Sequence, residues 1–181
     1  MRLFDLNKAE LCFSPRNVPN DYLDLKVPIF DKDIAFLDPH VFYVSTAYGQ
    51  IRQFDTRAKK QAVLDYQVEL DNKAPLSHIR VDHQGNNLIV ANSKGGVYLL
   101  DRRQLLKNQV SRKLKCGYSS VSDLQVHHSQ DIVAISSLDR HVRLFDLSDG
   151  SLLRKVFTKQ KVQRLLLSRE TLDLDVLEEQ T

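Results

Sequence analysis

The chain has 181 residues, 42% of them hydrophobic and 27% charged, with a net charge of +3. That is globular composition with enough apolar material for a core, and it excludes a low-complexity chain or a strongly basic nucleic-acid module. No apolar run approaches the roughly 20 residues of a membrane helix, no apolar stretch of a secretory leader follows the start, and the two cysteines, Cys12 and Cys116, are too few for a disulfide framework, so the sequence reads as a soluble intracellular protein.

In chain order, the first segments with strand character are residues 2–6 and 9–13, which read as the last two strands of a partial blade (1–16). Residues 17–28 hold Pro19 and Pro28 and form a long link. Four short strands follow at about 34–37, 41–44, 51–55 and 62–67, within a unit spanning 29–70. The same order returns in 71–116, with strands at 76–81, 88–91, 97–101 and 110–115 and a helical turn expected near 102–108. It returns again in 117–159, with strands at 121–126, 132–135, 142–146 and 152–158. Residues 160–168 read as one lone inner strand and 169–181 as an acidic tail.

One phrase marks each unit, an aliphatic run closed by an aromatic or Leu and then Asp. It ends at Asp5, Asp55, Asp101 and Asp146, which fall 50, 46 and 45 residues apart. A period of about 40–45 residues with a hydrophobic-Asp pair and four strands per unit marks the blade of a WD-repeat β-propeller. Trp is absent, and Phe or Leu takes its place. Gly49 and Gly95 sit where a tight turn needs positive φ, and Asp139 takes up the turn of the third unit. The predicted fold is therefore all-β: three complete blades on residues 1–168 with partial blades at both ends. A closed ring needs typically 4–8 blades, so the expectation is the C-terminal half of a longer protein or a truncated gene model, with completion of the ring by another chain left open.

A narrower resemblance rests on residues 17–34, NVPNDYLDLKVPIFDKDI, followed by Gly49-Gln50-Ile51-Arg52-Gln53-Phe54-Asp55 and Leu138-Asp139-Arg140. In order and spacing these are similar to the WD repeat-containing protein 74 family and its fungal counterparts, nucleolar factors of large-ribosomal-subunit assembly. The resemblance implies a seven-bladed propeller overall and a placeholder in the nucleus and nucleolus. It also implies pre-ribosomal large-subunit proteins as partners, precursor rRNA nearby, and an AAA-family ATPase that remodels the particle. The alternative is a general WD-repeat adaptor, a ligase substrate receptor or peptide reader.

Two sets of residues are candidates for binding. Asn20, Asp21, Tyr22, Asp24, Lys26 and Phe30 place aromatics among charges in a long link, which suits a protein-partner anchor. The competing reading folds Tyr22, Leu23, Leu25 and Phe30 inward to bridge two blades. Arg102, Arg103, Arg112, Lys113, Arg140 and Arg143 belong to a basic later half that could meet RNA phosphates or simply be solvated. No aromatic stacking platform for single-stranded RNA is evident. No nucleophile, phosphate-loop or metal-ligand motif occurs, so no catalytic residue, metal, cofactor or small-molecule substrate is expected, and the chain reads as non-enzymatic.

Overall fold

The computed structural model describes residues 1–68, 74–107, 110–117 and 119–171. The expected acidic tail lies outside the described residues from position 172 onward.

The described chain is a series of antiparallel meanders. β1 (Leu3–Asp5) and β2 (Glu10–Phe13) form a two-stranded sheet. The first complete blade is β3 (Asp31–Phe36), β4 (Val41–Thr46), β5 (Gln50–Asp55) and β6 (Leu64–Gln67). The second is β7 (Leu76–Val81), β8 (Asn87–Asn92), β9 (Val97–Asp101) and β10 (Val110–Leu114), with a 3-10 helix at Arg102–Lys107 before β10. The third is β11 (Val121–Val126), β12 (Ile132–Ser137), β13 (His141–Asp146) and β14 (Leu152–Phe157). Each blade's strands pair in sequence order, so the all-β partial propeller read from the repeat is borne out.

The repeated Asp has a physical job. Each one ends a strand (β1, β5, β9 and β13) and accepts from the backbone N–H two residues on: Asn7 at 2.8 Å, Arg57 at 2.9 Å, Arg103 at 2.8 Å and Ser148 at 2.7 Å. These are Asx turns, which stop the strand and start the connection to the next. The turn between second and third strands is also repeated. Gly49 has φ 82° and Gly95 has φ 87°, left-handed values that cost glycine least. The third blade puts Arg140 at the same place, with φ 66°.

The core is built between blades. β8 alternates: Leu88 and Val90 pack with Tyr43, Ile51, Leu76 and Ile79 toward the first blade, whereas Ile89 and Ala91 pack with Leu124, Val133, Ile135 and Phe145 toward the third. A strand covered on both faces reads as a continuous apolar run, and burying each such side chain fully stabilises by about 1.5–3 kcal/mol. β1 and β2 dock through Phe13, which meets Phe42 edge-on at 5.9 Å; Phe42 stacks on Phe54 at 5.3 Å.

β3 lies beside β7 and β7 beside β11, so the first strands line the inner side of the arc. Residues 160–168, expected as a lone inner strand, form no ladder. They are held instead by Asp123, whose Oδ2 accepts from the Leu165 N–H at 2.8 Å, with the Arg164 guanidinium 3.6 Å from Oδ1. A single segment with no second strand beside it has no backbone partners with which to become a strand.

Candidate docking loop and basic rim

The link between β2 and β3 is long, and its polar residues tie it into one shape. Asn17 Nδ2 donates to the Val27 carbonyl at 2.7 Å, closing the base. Asp21 Oδ1 accepts from the N–H groups of Leu23 at 3.0 Å and Leu25 at 2.8 Å. Asn20 Nδ2 donates to Asp24 Oδ1 at 2.8 Å, and Asp24 turns the chain with φ 60°. Asn and Asp bear such backbone conformations because their side chains bond locally.

The tip that results points outward. Tyr22 is 93% exposed, Leu23 61% and Leu25 59%. Phe30, at the other end of the link, is also exposed, with Lys32 Nζ 4.3 Å above its ring. The inward reading of these apolar residues is therefore corrected: the hydrogen bonds of Asn17, Asn20, Asp21 and Asp24 hold the loop without apolar burial. Of the residues singled out from the sequence, Asn20, Asp21 and Asp24 build the loop, whereas Tyr22, Lys26 and Phe30 face solvent.

The basic set divides. Arg143 is 7% exposed and donates to Asp139 and to Ser137 Oγ, at 3.3 Å, so it is turned away from a surface phosphate. Burial works to raise the Asp139 carboxyl, and the Arg143 guanidinium and the His141 N–H outweigh it, leaving its pKa lowered. Arg102 faces the buried Tyr43 phenol, whose pKa is raised by burial and held back by that guanidinium. Arg112 reaches the Leu147 carbonyl at 3.4 Å, and Arg103 donates to Asn86 Oδ1 at 2.7 Å. Lys113 is exposed, 5.6 Å above the Tyr98 ring. Arg140 is exposed, with its guanidinium carbon 5.4 Å from the Phe157 ring centre.

Sequence reasoning missed an ion-pair series along the inner strands. Asp33 Oδ2 accepts from Arg80 Nη1 and from the Ile79 N–H at 3.1 Å, Arg80 Nη2 lies 3.7 Å from Asp123 Oδ1, and Arg164 reaches the same carboxylate. His78 sits in β7 where Asp33 and Asp123 sit in β3 and β11, and burial lowers its pKa. The partners of Asp33 lie 46 and 47 residues away, and those of Asp123 are also more than 40 away, beyond any local pattern. The shared 45-residue spacing of positions 33, 78 and 123 was the available signal.

No family model matches the chain. It is 33% identical to WD repeat-containing protein 74 of Bos taurus over 172 residues, 93% of this chain and 43% of that protein. It is 26% identical to Ribosome biogenesis protein NSA1 of Kluyveromyces lactis over 195 residues, 97% of this chain and 44% of that protein. The chain thus spans less than half the length of these curated relatives. A solved structure, the computationally designed Ika4 protein, superposes with a TM-score of 0.58 over 76% of both chains at 18% identity, a likeness of fold alone.

Proposed function

We propose, from the premise that this chain is a WD-repeat homologue of WD repeat-containing protein 74 and the NSA1 proteins, that it is a non-enzymatic scaffold in assembly of the large ribosomal subunit. The observation that carries this reading is the relationship itself, which runs through nearly the whole chain and includes relatives named as ribosome biogenesis proteins. In this reading the protein works in the nucleus and nucleolus during rRNA processing, as one propeller segment (1–168) followed by an acidic tail. Its partners are pre-ribosomal large-subunit proteins and precursor rRNA, and an AAA-family ATPase releases it.

The loop of residues 17–30 supports a protein-docking role. A large exposed aromatic on a pre-formed loop loses little conformational freedom on binding, which is the economy of an interface anchor. Two carboxylates, Asp21 and Asp24, sit beside Tyr22 and disfavour a phosphate backbone at this tip. Lys113, Arg103 and Arg140 remain the outward cations for RNA.

The test is affinity purification of the tagged chain from cells with mass spectrometry of its partners. The expected result is large-subunit assembly factors with precursor rRNA, and their loss from Tyr22→Ala with the fold intact. Recovery of ligase or chromatin subunits instead would overturn the reading in favour of a general adaptor.

A further inference from the structure

The turn between the second and third strands of each blade requires one left-handed residue. Two blades use the residue that meets the requirement at least cost, Gly49 and Gly95. The third uses Arg140, at φ 66°. A side chain is disfavoured there relative to glycine, which draws attention to what the arginine side chain does.

That side chain lies over an aromatic ring. Phe157 pairs directly across the ladder from His141, their ring centres are 5.2 Å apart, and the Arg140 guanidinium is 5.4 Å from the Phe157 centre. Phe157 is 52% exposed. Thr158 fixes the arrangement, since both its N–H and its hydroxyl donate to the Arg140 carbonyl at 2.9 Å. The Asp139 carboxylate beside the cluster is already engaged by Arg143.

The position of the ring in the blade matters. Side chains directly opposite in an antiparallel pair share a face. Phe157 and Lys155 therefore share the face of His141, Arg143 and Phe145, and Phe145 packs toward the second blade. The opposite face, with Val142 and Val156, is the outer flank. The exposed ring is thus at the rim of an already covered face.

Asp139, whose Oδ2 lies 3.5 Å from His141 Nδ1, is the acidic neighbour of the cluster, and the segment that carries Phe157 is basic throughout. Residues 151–169 contain Arg154, Lys155, Lys159, Lys161, Arg164 and Arg169 and no Asp or Glu. Lys155 and Lys159, on either side of Phe157, are exposed.

From these observations we infer that Phe157, His141 and Arg140 form a stacking site for a base of single-stranded RNA, with Lys155 and Lys159 meeting its phosphates. An exposed ring flanked by cations fits a nucleotide because the base takes the apolar face and the phosphates take the charge. The inference rests on the assembly role proposed above, which places precursor rRNA near the protein. The sequence showed no such platform because Phe157 and Arg140 lie 17 positions apart and meet only through the β13–β14 pairing.

The test uses the purified full chain and a fluorescent single-stranded oligoribonucleotide of about 12 nucleotides. Binding is followed by anisotropy at about 50 and about 200 mM salt. The parent is expected to bind the strand in preference to duplex RNA of equal length, and more weakly at the higher salt. Phe157→Leu keeps an apolar side chain and is expected to weaken binding about fivefold or more. Arg140→Gly is expected to weaken binding without lowering the melting temperature, because glycine suits φ 66°. No binding by the parent, parental affinity in either variant, or preference for a poly-glutamate peptide would each overturn the site. If the tagged chain still purifies with large-subunit precursors while Phe157→Leu binds RNA normally, the stacking site falls and the assembly role stands.

Discussion

The carboxylate of Asp33 accepts the backbone N–H of Ile79 at 3.1 Å, joining the inner strand of one blade to that of the next. Arg80 closes on the same oxygen. Asp123 repeats the contact with the Leu165 N–H at 2.8 Å. A blade buries its apolar faces against its neighbours but makes no ladder with them, so these carboxylates are the directional bonds that set how one inner strand sits against the next.

Asp33→Ala leaves the Ile79 N–H unpaired and leaves Arg80 only the Ile79 carbonyl and Asp123 as partners. It is expected to lower stability to urea by about 1–3 kcal/mol. Asp123→Ala is expected to cost more, toward the upper end of that range, since Asp123 is fully buried and accepts from the Leu124 and Leu165 N–H groups. Equal midpoints for the two variants would contradict this ranking.

The two turn positions are expected to respond in opposite directions. At Gly95 a Cβ would lie 2.4 Å from the Ser119 carbonyl oxygen, with φ 87° besides, so Gly95→Ala should destabilise by about 1–3 kcal/mol. Arg140→Gly removes the left-handed penalty and should leave stability unchanged or raise it slightly. Thermal melts of the two variants side by side decide the matter.

The two thiols should differ in reactivity. Burial pushes the Cys116 thiol up to about 12, whereas Cys12 is exposed. A disulfide reagent at pH 8 is expected to modify one thiol in the native protein and two after denaturation, with Cys12 identified by peptide mapping. Native labelling of Cys116 would mean that the packing between the second and third blades opens readily.

Stability should fall on mild acidification. Burial holds the His78 pKa below its usual 6.5, with Arg80 and Arg164 acting the same way and Asp33 and Asp123 opposing. The unfolded chain therefore takes up a proton near pH 6.5 that the folded chain resists, so stability is fully present above that pH and declines as pH drops through it. His78→Asn is expected to flatten the decline in urea midpoint between about pH 7 and pH 5.

The repeat was legible because its chemistry is local. An Asp that bonds the N–H two residues on, a glycine at a left-handed turn and apolar alternation all act within a few residues, so the chain order alone carries them. Asp5, Asp55, Asp101 and Asp146 are recognisable for that reason. The loop of residues 17–30 was only half legible. Its composition pointed to an aromatic among charges, but whether Tyr22 faced inward or outward depended on the bonds of Asn17, Asn20 and Asp21.

Sequence by itself determined the all-β blades and the relatives to which the chain is similar. Only the tertiary structure decided which charges are spent inside and which face solvent. Arg140 and Arg143 are three residues apart, the first in the turn before β13 and the second within it; pairing with Asp139 buries Arg143, and the left-handed turn leaves Arg140 over Phe157. The physical reason is range. Turn chemistry is settled between near neighbours, whereas the burial of a guanidinium is settled by whichever strand or blade the fold brings beside it.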